Sequence, residues 1–164
     1  MKKKVVWLML CILITVANCK ESYASVKVLD WNLVDSGRHL DYDGSTKYKS
    51  QFNYAIKVWN SYKKGVIRKD NLLRFQDVAI SDYYEVSSTA GITCIDGTIR
   101  FNKYIMDKLN NNAKKNVCIH ELGHALGLEH NPNKDVMYMY VTTRIKLSSN
   151  DKQSYNYAYK YLYR

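Results

Sequence analysis

Residues 120–130 read HELGHALGLEH, and this stretch places metal-binding and proton-transferring side chains at a regular spacing. His120 and His124 are four residues apart, so on a helix their imidazoles project from the same face and can bind one ion. Neutral imidazole suits zinc, and a zinc site with three protein ligands keeps its fourth position open for water. Glu121, beside the first histidine, can accept a proton from that water. The pattern therefore predicts zinc-dependent hydrolysis of a peptide bond.

The third zinc ligand is predicted on the far side of a turn. Gly127 tolerates a positive φ and can end the helix, which lets His130 approach the same ion from outside the helical register. A lone HExxH is also compatible with a surface turn of an amphipathic helix, but here the extended pattern fixes five positions. Of the four histidines only His39 lies outside the motif, and we expect it in an exposed loop.

The motif resembles that of the metzincin clan of zinc peptidases, because it matches their signature HExxHxxGxxH at every fixed position. Metzincins also have a methionine turn beneath the metal, and the resemblance implies that Met137 supports the site without being a ligand. Residues 135–138 are similar to the short approach to this methionine in matrixins. Met139 is the alternative, and with Met137 as the turn it stands where astacins and serralysins carry a zinc-binding tyrosine.

The resemblance to matrixins covers residues 26–164 and implies their fold. This is an α+β fold of the zincin type, with a twisted five-stranded mixed sheet, two long helices and a small C-terminal subdomain ending in a helix. Ala90–Cys94 would then be the edge strand beside the cleft, whose free backbone groups pair with an extended peptide. The alternative is an edge strand with no ligand. Residues 138–149 would form the wall of the pocket beyond the scissile bond.

The chain departs from the matrixin pattern at two places. Asn131 directly follows the third histidine, where matrixins usually carry serine. The stretch Tyr83–Thr89 is short and has no histidine, whereas vertebrate matrixins have a long loop there with a structural zinc and calcium ions. We therefore predict a single catalytic zinc ion, and structural calcium stays open.

Periodicity along the chain agrees with this order of elements. A helix is predicted where apolar residues recur at spacings of three and four ahead of Gly65, at Phe52, Ala55, Ile56 and Trp59. A polar loop is expected at Asp35–Thr46. Strands are predicted at the short apolar or β-branched runs Val26–Val34, Leu72–Phe75, Val78–Ile80, Ala90–Cys94 and Thr98–Phe101.

The C-terminal segment has two competing periods. Its tyrosines alternate from Tyr155 to Tyr163, which alone favours a strand. Ser148 and Asp151 have the spacing of a capping box, and an apolar face recurs at helical spacing at Tyr155, Ala158, Tyr159 and Leu162. We predict a helix, which is similar to the closing helix of matrixins, with the remaining tyrosines exposed to solvent.

The N-terminal segment has the charge pattern of a secretory signal peptide. Three lysines at positions 2–4 precede an apolar run, Val5–Ala17, that is short for a membrane span. Cleavage after Ala24 would leave residues 25–164 as one catalytic domain of a secreted protein. The alternative is a lipoprotein anchored through Cys19, although Asn18 is a poor residue for that position.

Charge and cysteine content narrow the classes of partner. The predicted leader holds four lysines and one glutamate, so the rest keeps 21 basic and 14 acidic residues, a formal charge of +7. This charge favours association with an anionic cell surface, whereas the scattered basic residues argue against nucleic acid. We expect a monomer. Outside the leader, Cys94 and Cys118 could form a disulfide or remain buried thiols.

Taken together, the sequence predicts a secreted zinc endopeptidase that binds a protein or peptide substrate in extended form. Glu121 would be the general base, and His120, His124 and His130 the zinc ligands. Two alternatives remain: a catalytically idle binding protein on a metzincin scaffold, and a zinc exopeptidase or amidase.

Overall fold

The chain folds around one mixed β-sheet. A computed structural model describes residues 25–71, 75–132 and 134–163, so the predicted leader lies outside the described residues. The strands run parallel except at the edge, where β4 pairs with β5 in the antiparallel sense, and their order is β2-β1-β3-β5-β4. They are β1 (Leu40–Gly44), β2 (Ile67–Lys69), β3 (Val78–Tyr83), β4 (Gly91–Cys94) and β5 (Thr98–Asn102). The five-stranded mixed sheet and the edge position of β4 are as predicted.

The helices are α1 (Lys49–Tyr62), the short α2 (Lys103–Met106), α3 (Asn111–Ala125) and α4 (Ser149–Tyr157), which continues as a π-helical turn, Ala158–Leu162. The helix predicted ahead of Gly65 is α1, and the capping box predicted for α4 is present. The α+β fold with two long helices and a C-terminal helix is therefore confirmed. Among the described residues, no helix combines the length and the apolar character that a membrane span requires.

The first strand lies where the sequence pattern predicted a polar loop. β1 occupies the middle of Asp35–Thr46, and its Asp41 is buried. Arg68 stands opposite Asp41 on β2 and donates two hydrogen bonds to its carboxylate, from Nε at 2.7 Å and from a terminal nitrogen at 2.6 Å. A carboxylate can occupy an inner strand when a guanidinium on the next strand neutralises it. The prediction of a loop was wrong, because it was based on local hydrophobicity, which gives no information about this ion pair.

One predicted strand is also wrong. Val26–Val34 forms no strand and instead lies along the end of α3, where Leu29 N–H donates to Gly127 O and Leu33 N–H to Ala125 O. The predicted strand Leu72–Phe75 lies outside the described residues except for Phe75, which is 96% exposed. The pattern did not predict β2, whose Ile67 is buried and pairs with Leu40.

Trp59 joins three helices in the core. It is fully buried on α1, and its indole N–H donates to Ile119 O on α3 at 2.9 Å. Its ring meets the ring of Tyr155 on α4 edge to face, with centroids 5.2 Å apart. The last tyrosine departs from the predicted exposure, because Tyr163 is buried and its hydroxyl donates to Leu126 O. The core therefore fixes the C-terminal helix against α3.

Cys94 and Cys118 are free thiols. Cys118 is fully buried on α3, and burial raises the pKa of its thiol well above the ordinary value. The sequence left a disulfide and free thiols as alternatives, and the structure contains the free thiols.

The ion pair between Asp41 and Arg68 predicts a large loss of stability when one partner is removed. Arg68→Met should lower the free energy of unfolding by about 3 kcal/mol, because it leaves a buried carboxylate without its counter-charge. Urea denaturation measures this change. Arg100→Met on the exposed face of β5 is the matched control, and equal losses in both variants would contradict the account.

Candidate metal centre

Both ends of α3 are defined by local hydrogen bonds. At the start, the Asn110 side chain accepts from Ala113 N–H. At the other end, Gly127 adopts φ +84°, and its N–H donates to His124 O, while Leu128 N–H donates to Gly123 O. This pair of bonds is a Schellman motif, in which glycine takes the left-handed conformation. The helix therefore ends at Ala125 with Leu126 as its cap, and the chain reverses toward His130 as the sequence predicted.

Three imidazoles meet beyond this turn. His120 and His124 lie one turn apart on α3, with their Nε2 atoms 3.0 Å apart. The ring of His130 stacks on that of His120 with centroids 5.3 Å apart and lies 4.9 Å from that of His124. Each residue offers one nitrogen, and these three nitrogens all lie within 4.8 Å of one another. The structure thus brings together the three histidines of the motif.

The protonation of the two helical imidazoles is set by backbone carbonyls. Nδ1 of His120 lies 3.0 Å from Val136 O, and Nδ1 of His124 lies 2.8 Å from Leu128 O. A carbonyl oxygen only accepts, so each Nδ1 carries the proton and each Nε2 keeps a lone pair. Burial, with smaller effects from neighbouring histidines, lowers the pKa of His120 to about 3 and also lowers the pKa of His124.

This donor set fits a zinc ion. Two Nε2 lone pairs at 3.0 Å repel each other unless a cation lies between them and the third imidazole. Neutral nitrogen donors whose other ring nitrogen donates to a carbonyl are the usual surroundings of catalytic zinc. The histidine outside the motif, His39, is not part of this cluster.

Glu121 lies beside the three histidines and is held by the edge strand. The Thr93 hydroxyl on β4 is 2.7 Å from Glu121 Oε2, to which it donates. Gly91 on the same strand is so close that a Cβ there would lie 2.8 Å from Glu121 Oε1. Burial raises the pKa of Glu121 to about 7, and the hydrogen bond from Thr93 opposes this rise. The motif identified Glu121, but nothing in the sequence pattern pointed to Thr93 or Gly91.

Met137 lies beneath the metal-binding turn of α3. It is fully buried, and its sulfur packs against Gly123, where even an added Cβ would overlap it. Its carbonyl accepts from Asn131 N–H at 2.7 Å, so the chain after His130 is tied to the methionine segment. Met139 is 58% exposed. The position of Met137 agrees with the support role that the sequence predicted for it.

Asp151 holds this methionine segment in place. Its fully buried carboxylate accepts four hydrogen bonds: Oδ2 from the N–H groups of Val136 and Ser148, and Oδ1 from Met137 N–H and the Asn131 amide. The sequence predicted the capping box of Ser148 and Asp151. It did not predict that the same carboxylate reaches the backbone of the methionine turn, because that contact depends on how α4 packs.

The three histidines and Glu121 lie in a cavity of about 470 Å³. Its lining includes residues 88–93, which contain most of β4, and residues 138–141. Asn116 and Val117 of α3 line it as well. Within the two ranges, the large apolar residues are Ile92, Tyr138, Met139, Tyr140 and Val141. The cavity thus combines a nitrogen donor set, a carboxylate and an apolar wall.

A second cluster of potential ligands lies in the sheet, among the carboxylates of Asp35, Asp41 and Asp77. Arg68 forms ion pairs with two of them, at 2.6 Å to Asp41 and 3.7 Å to Asp35. Asp77 accepts from Asp41 N–H, and burial is the main cause that raises its pKa. The negative charge of this cluster is therefore partly neutralised within the protein, and the cluster gives no support for structural calcium.

The four hydrogen bonds that Asp151 accepts predict that its carboxylate stabilises the fold. Asp151→Asn replaces one accepting oxygen by a donor that faces backbone N–H groups, so it should lower the free energy of unfolding by about 2 kcal/mol. Urea denaturation checks this value. The exposed Asp96→Asn is the control, and a loss in Asp151→Asn no larger than in the control would refute the role of the carboxylate.

Comparison with known proteins agrees with this geometry. A comparison with curated proteins found no match. The family model described as matrixin matches residues 23–160, which is most of the chain and includes the three histidines, Glu121 and Met137. The chain therefore belongs to the matrixin family, a family of zinc metallopeptidases.

Proposed function

We propose that the protein is a secreted zinc endopeptidase that cleaves extended peptides. The observation that supports this most strongly is the convergence of three imidazole nitrogens beside Glu121, at a cavity bordered by an edge strand. His120, His124 and His130 are the proposed zinc ligands. Glu121 is the proposed general base, and Met137 supports the ligands from below.

In the proposed mechanism, zinc supplies Lewis acidity, which polarises the scissile carbonyl and lowers the pKa of a water molecule. The chain's own residues do the rest. Glu121 accepts the proton of the attacking water at its carboxylate and passes it to the leaving amine. The hydroxyl of Thr93 keeps that carboxylate in one orientation while the proton moves. The carbonyls of Val136 and Leu128 keep the protons of His120 and His124 on Nδ1.

The substrate is proposed to bind along the free edge of β4. Among the residues that the structure describes, this strand pairs only with β5, and most of it lines the cavity. Unpaired backbone groups on an edge strand can take up an extended peptide as an additional strand. A peptide bound in this way places one of its bonds near Glu121, and the apolar wall of the cavity can accommodate the side chain next to that bond. Extended binding along a strand is typical of cleavage within a chain, which favours an endopeptidase.

The proposed location is outside the cell, as a monomer released after cleavage of the leader at Ala24. The support is the charge pattern of residues 1–24. Sequencing the N-terminus of the protein recovered from culture medium tests it. Ser25 as the first residue would support secretion, whereas protein found only in a membrane fraction with lipid on Cys19 would contradict it.

We also propose that the protein associates with an anionic cell surface. It is supported by the net positive charge and by a groove between α1 and α3 that Lys49, Lys57 and Lys115 line without any acidic residue. Retention on anionic vesicles should fall as salt rises. Retention that salt leaves unchanged would contradict an electrostatic contact.

The proposed function predicts the behaviour of Glu121→Ala. Zinc should stay bound, because the three histidines are intact, while hydrolysis falls by at least about a hundredfold through loss of the general base. Cleavage of an internally quenched peptide library by residues 25–164 measures this, with and without a chelator. Glu85→Ala, which changes an exposed glutamate, is the control.

The outcomes of this experiment distinguish an endopeptidase, a binding protein and an exopeptidase. Internal cuts by the wild type that the chelator abolishes and Glu121→Ala greatly reduces support the endopeptidase. Zinc bound without any cleavage favours a binding protein, and release of terminal residues alone favours an exopeptidase. Undiminished turnover in Glu121→Ala would rule out the proposed role of that carboxylate.

A further inference from the structure

The part of the cavity lining that follows Met137 continues into a segment without helix or strand. Residues 138–141 line the cavity, and the chain then runs without regular secondary structure to the cap of α4 at Ser148. Much of this segment faces solvent, with Tyr140 63% and Val141 42% exposed. We call residues 139–147 the wall segment. An exposed segment of this kind needs specific contacts to hold one shape.

Asn116 provides such contacts from the buried side. It lies on α3 one turn before His120, lines the cavity and is only 2% exposed. Its side-chain oxygen accepts from Thr142 N–H at 2.9 Å, and its amide nitrogen donates to Arg144 O at 2.8 Å. A side-chain amide has the same donor and acceptor as a peptide group, so Asn116 pairs with the wall segment as a neighbouring strand would.

These two bonds are the main polar attachment of the wall segment. In the described part of the chain, the other polar contacts of this wall are the hydrogen bond from Arg144 N–H to Thr142 Oγ1 within the segment and, directly before it, the backbone bridge between Tyr138 and Asn131. Apolar attachment comes from Ile145 and Leu147, which pack against the core beyond the Asn116 contact. Residues 139–141, which line the cavity, therefore lie between the bridge at Tyr138 and the contact of Thr142 with Asn116, on the same helix that carries His120.

The chemistry of the position agrees with a role in positioning. A buried asparagine costs stability unless its amide is satisfied, and apolar side chains such as Val117 and Ile119 occupy neighbouring core positions on α3. The oxygen and the nitrogen of the Asn116 side chain both form hydrogen bonds with the backbone of the wall segment. Asn116 thus fixes the wall segment, and with it the width of the cavity, relative to α3, the helix that carries His120 and His124.

We propose that Asn116 is a specificity-determining positioning residue. By holding the wall segment, it fixes the size of the side chain that the cavity accepts beside the cleaved bond. This inference rests on the proposed peptidase function. It assigns Asn116 no contact with the reacting atoms.

The test compares Asn116→Leu with Asn112→Leu, an exposed asparagine on the same helix. Leucine is close to asparagine in size but forms no hydrogen bond, so the wall segment should loosen while the fold persists. Asn116→Asp is a second variant, because it keeps an acceptor for Thr142 N–H but places a charged carboxylate oxygen, in place of a donor, against Arg144 O. It keeps the test informative if the leucine variant fails to fold.

The first measurement is independent of catalysis. Hydrogen exchange of the Thr142 amide should become about tenfold faster in Asn116→Leu, because a hydrogen bond of ordinary strength is lost. Asn112→Leu should exchange at the wild-type rate. Unchanged exchange at Thr142 in Asn116→Leu would overturn the proposal, even if the protein cleaves no peptide.

The second measurement is selectivity. Two peptides are compared that differ only in leucine or alanine on the C-terminal side of the cleaved bond. The ratio of their kcat/KM values should fall by about tenfold in Asn116→Leu, because a loosened pocket discriminates less between apolar side chains. A purely structural role would lower both kcat/KM values together and leave their ratio unchanged, which would contradict the proposal. Absence of cleavage by the wild type would instead refute the proposed function.

Discussion

The Nε2 atoms of His120 and His124 lie 3.0 Å apart, and each keeps a lone pair because the proton of its ring is on Nδ1. This arrangement is unfavourable without a cation, and backbone carbonyls impose it by holding the opposite ring nitrogens. Those carbonyls belong to Val136 and Leu128, which lie on the two segments that follow α3. The site therefore depends on how the chain continues after the helix as much as on the helix itself.

That continuation is fixed by a small set of buried contacts. The Schellman turn at Gly127 reverses the chain, and the N-terminal segment covers the turn through the bond from Leu29 N–H. Asp151 then joins the backbone of Val136 and Met137 to the cap of α4. A carboxylate that accepts four hydrogen bonds fixes two segments at once, which is why a helix remote in sequence contributes to the geometry of the histidines.

The sequence predicts the parts of this structure that repeat a local pattern. The spacing of His120, His124 and His130 was sufficient to identify the histidines that the structure brings together, and the apolar period was sufficient for α1. The position of β1 could not be read in the same way, because Asp41 is stable in the sheet only through Arg68, a partner 27 residues away. Val26–Val34 has the composition of a strand, yet its backbone bonds go to the end of α3.

The same limit applies within the site. Glu121 belongs to the motif, whereas Thr93, which orients its carboxylate, comes from an edge strand 28 residues earlier in the chain. Asn116 precedes the motif on the same helix, but its importance depends on the backbone of Thr142 and Arg144. Long-range hydrogen bonds to backbone groups leave no trace in residue type or spacing, so only the folded chain reveals them.

The central claim is that three histidines bind one zinc ion, and the zinc content of the purified protein tests it most directly. Elemental analysis should give one zinc per chain for the wild type and for His39→Ala, which removes the histidine outside the cluster. His130→Ala should lose most of its zinc after dialysis, because only two imidazole ligands remain. Wild-type protein without zinc, or equal zinc in His130→Ala and the wild type, would contradict the account.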